Sequence, residues 1–138
     1  MRPLPTRRFL APAVVVIAGG AFAVMAWSAG AVQIQTGRST FETRPVGVVY
    51  KSDLSREATH LHWTSWGGAR ALATGIDFAN PCRPTCDLDH TRSHAAHFVF
   101  SDVRRCRSHR VYTRIRVVTA RWDRAYSGTW KLPLLGCR

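Results

Sequence analysis

The hydrophobic pattern divides the chain in two. Residues 9–37 contain no charged side chain, and positions 9–27 are largely apolar, dense in Ala and Val. After residue 40 the pattern changes to short runs with a period of two, and no sustained 3.6-residue period follows. Period two places alternate side chains on opposite faces of a strand. The run Val46-Gly47-Val48-Val49-Tyr50 predicts one strand. Across residues 59–66, Leu61 and Trp63 fall on one face and His60, His62 and Thr64 on the other. Gly67-Gly68 ends that strand. Residues 69–78 continue as a strand rich in small residues, with Leu72, Thr74 and Ile76 alternating and Gly75 marking a bulge. Phe98 and Phe100 share one side of a strand over 96–103. Residues 104–109 read as a basic turn. Over 111–121, Val111, Thr113, Ile115 and Val117 share one face, and Tyr112, Arg114 and Arg116 the other. A turn at Ser127-Gly128 precedes a last short strand. Pro81, Pro84, Cys82 and Cys86 make residues 80–94 a polar loop.

The uncharged run begins after Arg2, Arg7 and Arg8, which form a basic n-region. Ser28-Ala29-Gly30-Ala31 then supplies small residues in an A-x-A arrangement, so cleavage after Ala31 is chemically feasible. The apolar stretch is nevertheless long enough to cross a bilayer, since ~20 such residues suffice for a helix. Both readings, cleaved signal and retained anchor, place the remainder outside the cytoplasm. The expected organisation is residues 1–31 as signal peptide or membrane anchor, 32–45 as a linker, and 46–138 as a disulfide-containing β domain. The fold class expected is all-β, a small antiparallel sandwich or barrel-like domain.

Composition narrows the partners. Of 20 basic residues, 18 are Arg; residues 32–138 carry 17 basic and 8 acidic side chains, a net charge of +9. Such a surface attracts anions. In an exported protein these are anionic lipid head groups or cell-wall polymers, and nucleic acid is the wrong partner. All four cysteines (Cys82, Cys86, Cys106, Cys137) follow the apolar run, and an even count outside the cell reads as two disulfides. Three pairings exist. The preferred one joins Cys82 to Cys86 across the Pro-containing loop and Cys106 to Cys137 near the C-terminus.

Trp63 and Trp66 stand three apart, which points them to opposite faces: one for the core, the other a stacking platform. Cys82, Cys86, His90 and His94 recur every four residues, with His97 following, but that spacing aligns side chains only on a helix, and Pro84 interrupts the segment. Together with the His60/His62 pair and the Asp87/Asp89 fragment, it supports no metal site. No cofactor motif is present, and no G-x-S-x-G or H-E-x-x-H sequence occurs. The densest feature is Arg104, Arg105, Arg107, Arg110, Arg114, Arg116, Arg121 and Arg124. Within it, Arg110, Tyr112, Arg114 and Arg116 form the candidate anion-binding set.

The combination Leu61-His62-Trp63-Thr64-Ser65-Trp66-Gly67-Gly68, the loop Cys82-Arg83-Pro84-Thr85-Cys86, and the entry from Cys106 to Tyr112 resemble landmarks of uncharacterised small exported actinobacterial proteins. Those carry an L-x-W-x-x-W-G strand and a C-x-P-x-C-like loop. The resemblance covers roughly residues 45–120 and implies an exported all-β domain, with no catalytic residues to carry over. The expected function is a cell-envelope binding or structural module. The alternatives are an anion-binding module acting through the face of residues 104–124, and a small hydrolase.

Overall fold

The computed structural model describes residues 30–51, 53–80 and 91–137, without the side chains of 121–123. Eight strands follow in chain order: β1 (Val32–Gln35), β2 (Phe41–Glu42), β3 (Val48–Val49), β4 (Arg56–Ser65), β5 (Ala71–Ala79), β6 (Arg92–Cys106), β7 (His109–Thr119) and β8 (Gly128–Lys131). A 3-10 helix, Arg121–Tyr126, joins β7 to β8. All strands belong to one sheet in the order β2-β1-β7-β6-β5-β4-β3, with β8 also on β7. The sheet curls into a half-barrel.

β7 organises the sheet. One of its edges takes β6 along its whole length. The other edge is shared: β1 runs parallel to its first half (Val32↔Arg110), and β8 runs antiparallel to its second half (Arg116↔Thr129). The fold is therefore all-β among the described residues, as the period-two pattern predicts, but the sheet is mixed rather than wholly antiparallel. The described strands form one curled sheet, and no two-layer sandwich is seen among them. The expected signal or membrane helix lies outside the described residues, and no described helix is long and apolar enough to cross a membrane.

Residues 32–45, expected to be a linker, instead supply two strands. Val-Gln-Ile-Gln alternates over four positions, and Val32 and Ile34 are fully buried in the core. Gln35 fixes this strand to the far end of the chain: its Nε2 donates to the Leu135 carbonyl at 2.8 Å, and the Leu135 amide donates back to its Oε1 at 3.0 Å. The expected basic turn at 104–109 shrinks to Arg107-Ser108, because β6 runs through Cys106 and β7 starts at His109. Arg107 takes the left-handed conformation there (φ 56°). Cys106 and Cys137 form a disulfide with Cα atoms 4.8 Å apart, so the preferred pairing of those two holds. Cys82 and Cys86 lie outside the described residues. Glu42 and Glu57 lie in β2 and β4.

The core lies on the concave face. Tyr50, Phe98, Phe100, Tyr112, Ile115 and Val117 fill it with little or no exposure. Both tryptophans of the L-x-W-x-x-W-G segment pack against this cluster. Their rings meet edge to face at 4.5 Å, so they do not point to opposite faces as strict alternation predicts. The reason is local: the β4–β5 register shifts between Trp63 and Ser65, and Trp66 lies beyond the strand end. Each indole N–H then reaches back to the first segment, Trp63 to the Pro45 carbonyl and Trp66 to the Val32 carbonyl, both at 2.9 Å. The motif docks residues 32–45 onto the sheet rather than offering a platform.

A second register shift falls between Thr59 and His62. His60 is left-handed there (φ 51°), and Ala58 and Leu61 are both buried at a spacing of three. Gly75 makes the room opposite: a Cβ at that position would lie 2.6 Å from the Thr59 carbonyl oxygen. The bulge signalled by Gly75 thus sits in the neighbouring strand.

Candidate functional site

The convex face of the sheet carries the arginines. Cross-strand partners in a sheet share a face, so register alone assembles the surface in rows. One row runs His62–Thr74–His97–Val118 across β4, β5, β6 and β7. The next runs Leu72–Val99–Arg116–Thr129, ending on β8. The third is Ser101–Arg114–Lys131. Arg114, Arg116 and Lys131 are exposed, and Leu72 and Val118 are large apolar side chains left in solvent.

Arg114 stands directly opposite Lys131. Like charges so placed are destabilising, and no carboxylate lies within ion-pair distance of Arg114, Arg116, Arg124 or Lys131 among the described residues. Asp102, which feels the Arg114 charge, is bonded by Thr113 and paired with Arg104 at 3.4 Å, and is held below the usual carboxylate range by those contacts. Beside Arg116 the face opens into a groove of ≈ 810 Å³ between the end of β7 and β8. Arg116 and Arg124 line it together with Ser127 and Thr129.

The four candidate anion-binding residues separate. Arg114 and Arg116 share the convex face. Arg110 is half-buried where β1 meets β7. Tyr112 is fully buried. Its hydroxyl donates to the Gly68 carbonyl at 2.9 Å and accepts from the Gly67 amide at 3.2 Å, and its ring meets Trp66 edge-on at 5.5 Å. Burial raises its pKa. The alternation of β7 fails at this point: Val111, Tyr112 and Thr113 are buried in succession, opposite a left-handed Asp102 (φ 57°) on β6. A strict two-residue period therefore gives the wrong face for Tyr112.

The described histidines form no metal site. His60 and His62 are both exposed, and with His97 they line a shallow apolar groove, but no group of described His, Cys, Asp or Glu residues is placed to hold a metal ion. His109 meets the Gln33 amide oxygen at 2.7 Å and stacks on Phe41 at 4.0 Å, a structural role at the β1–β2 edge. His94 stacks on Tyr126 at 4.0 Å. His90, Asp87 and Asp89 lie outside the described residues.

The concave face holds a polar cluster that the sequence reading did not single out. Asp77 is completely buried, on the same face of β5 as Ala71, Ala73 and Ala79. It accepts a hydrogen bond from the Tyr50 hydroxyl and an ion pair from Arg56 Nη2 at 2.7 Å. Arg56 also donates from Nε to the Tyr50 hydroxyl at 2.9 Å and from Nη2 to the Tyr126 carbonyl at 2.6 Å. Its guanidinium lies 4.6 Å from the Trp130 ring centroid, a cation–π distance. Burial raises the Asp77 carboxyl, and the bonds from Tyr50 and Arg56 offset this only in part. The Tyr50 hydroxyl is pushed up as well, by burial first and then by its bond to Asp77. The one signal for this cluster was a carboxylate on the small-residue face of a strand.

No family model, no curated protein and no solved structure matches the chain.

Proposed function

We propose that this chain is an exported β domain that binds a phosphate-bearing anionic surface of the cell envelope through the convex face of its sheet. Residues 1–31 act in this reading as signal or anchor and bring the domain to that surface. The observation that carries it is the opposition of Arg114 and Lys131 across β7 and β8, with Arg116 in the adjacent row and no carboxylate in ion-pair reach among the described residues. A sheet gains nothing in stability from such a pair; a polyanion laid across it does. Each basic side chain near an anionic bilayer contributes ~1 kcal/mol. The similarity to small exported actinobacterial β proteins is compatible with this reading.

The test is adsorption of the full-length protein, in parallel with its Arg114→Ser/Arg116→Ser variant, to anionic vesicles and to insoluble cell-wall polymer over a salt series. Binding of the parent that weakens with salt, and that the double variant has lost, is the expected result. Equal, salt-insensitive binding of both proteins refutes the proposal. Preference for vesicles over polymer, or the reverse, identifies which phosphate source is used.

A further inference from the structure

The convex face holds two grooves that run into each other. The groove of ≈ 810 Å³ between the end of β7 and β8 presents Arg116, Arg124 and Thr129. A second groove, of ≈ 480 Å³, crosses β7, β6, β5 and β4 and is lined by Val118, Ala95 and Ile76 together with His60, His62 and His97. Val118 and Thr119 line both. Ser127 fixes the junction: its hydroxyl accepts from the Thr119 amide at 3.0 Å and meets the Thr119 hydroxyl at 2.8 Å. Four strands at ~4.8 Å spacing give the second groove a length of ~14 Å. Val118, at the junction, is 38% exposed. Covering it is favourable only if something apolar lies on it.

We propose that the joined grooves bind one phosphorylated amphiphile, its phosphate between Arg116 and Arg124 and its hydrocarbon chain laid over Val118 toward β4. Charge complementarity selects the head. Neither arginine has a carboxylate in ion-pair reach among the described residues, so both charges are open to an anion. Guanidinium forks match phosphate oxygens, and Thr129, directly opposite Arg116, adds a hydroxyl donor. The groove across the strands selects the rest. A hydrated wall polymer gains little from Val118 and Ile76, whereas a hydrocarbon chain removes them and itself from water. This inference rests on the reading of the convex face as a phosphate-binding surface. It goes further by naming the source of the phosphate: a lipid, held singly and by its chain as well as its head.

The test is a chain-length series. Full-length protein in maltoside micelles is titrated calorimetrically with inorganic phosphate and with butyl, hexyl and octyl phosphate, against empty micelles, in parallel with the vesicle adsorption described above. Saturable 1:1 binding that tightens with chain length is expected. A fully buried methylene is worth about 4-fold, and an open groove covers one side of the chain, so octyl phosphate should bind roughly 10- to 20-fold more tightly than butyl phosphate. Arg124→Ser should weaken all the phosphates alike, by about 3- to 10-fold. Val118→Gln, at an exposed position outside the core, should lower the octyl-to-butyl ratio at least about 3-fold. Arg38→Ser, in the turn between β1 and β2, removes the same charge as Arg124→Ser and should change neither quantity. Equal affinity for the three alkyl phosphates, or a chain-length dependence that Val118→Gln keeps in full, overturns the inference. If salt-sensitive vesicle adsorption persists in that case, the phosphate-surface reading stands without it. Absence of both alkyl phosphate binding and vesicle adsorption removes the two together.

Discussion

Arg56 and Arg116 are the same side chain in opposite settings. Arg56 is folded into the concave face, where a carboxylate, a phenol, a main-chain carbonyl and an indole surround it. Arg116 stands on the convex face, beside Arg114 and Lys131, with no acidic partner in reach among the described residues. The first arrangement contributes to holding strands together: Arg56 on β4 and Asp77 on β5 link through Tyr50 to the segment after β3 and through Tyr126 to the 3-10 helix. The second contributes nothing to the fold. A chain with so many arginines thus uses them in two ways, and the partner atoms, not the residue type, show which.

The comparison breaks most sharply under substitution. Arg56→Ala leaves the Asp77 charge buried without its partner, a loss that costs about 3–5 kcal/mol in such pairs. Arg116→Ser removes an exposed side chain and should stay within about 0.5 kcal/mol of the parent. Chemical denaturation of the two variants against the parent checks both. Equal stability of the two variants would mean that the buried network does not hold the concave face together.

The next effect concerns the bulge that lets β4 serve both faces. The shift between Thr59 and His62 keeps Ala58 and Leu61 inward while His60 and His62 stay outward. Gly75 is the only residue type that fits there, because a Cβ would meet backbone oxygen rather than a movable side chain. Gly75→Ala is expected to cost about 1–3 kcal/mol, the range for overpacking. A variant as stable as the parent in the same denaturation experiment would show that β4 can give way without loss.

Much of this architecture was legible in the alternation of residues. The strand with Phe98 and Phe100 on one side, the outward placement of His60 and His62, and the inward Val111, Ile115 and Val117 all follow from a period of two. The failures share one cause. Trp66, Tyr112 and the spacing of Ala58 from Leu61 each sit at a register shift or a left-handed residue, where alternation resets without any change in composition. β1 was missed for another reason: four residues of Val-Gln-Ile-Gln carry too short a pattern to stand out beside a long apolar run. The arginine-rich surface was legible as charge, but its division into exposed Arg114 and Arg116, half-buried Arg110 and buried Tyr112 was not. The Arg56–Asp77 pair joins residues 21 apart in sequence through a sheet register that no local pattern encodes.

Acidity offers a gentler way to sharpen the contrast. Burial raises Asp77, so the folded chain keeps that proton to higher pH than the unfolded chain does. Between the unfolded value, ~3.9 for an Asp, and the raised folded value, the folded state binds more protons. The stabilising contribution of this group is therefore complete below ~3.9 and is lost as pH rises through the folded value. Thermal unfolding of Asp77→Asn across this range should show a flatter dependence on pH than the parent. The same slope in both would assign the pH dependence to other groups. Arg114→Ser, on the convex face, should leave the slope as it is.

The smallest expected change in stability is the most discriminating. Lys131→Glu converts the like-charged pair with Arg114 into an opposite-charged one, and such cross-strand pairs are worth about 0.2–1 kcal/mol. The variant should therefore unfold at a slightly higher temperature than the parent. Its adsorption to anionic vesicles should fall, because one positive charge is replaced by a negative one and Arg114 acquires an internal partner. Stability and binding then move in opposite directions, which is what a surface shaped for an external anion requires. A variant that gains stability and still adsorbs like the parent would mean that Arg114 and Lys131 are ordinary solvated charges, and the convex face would lose its claim to a partner.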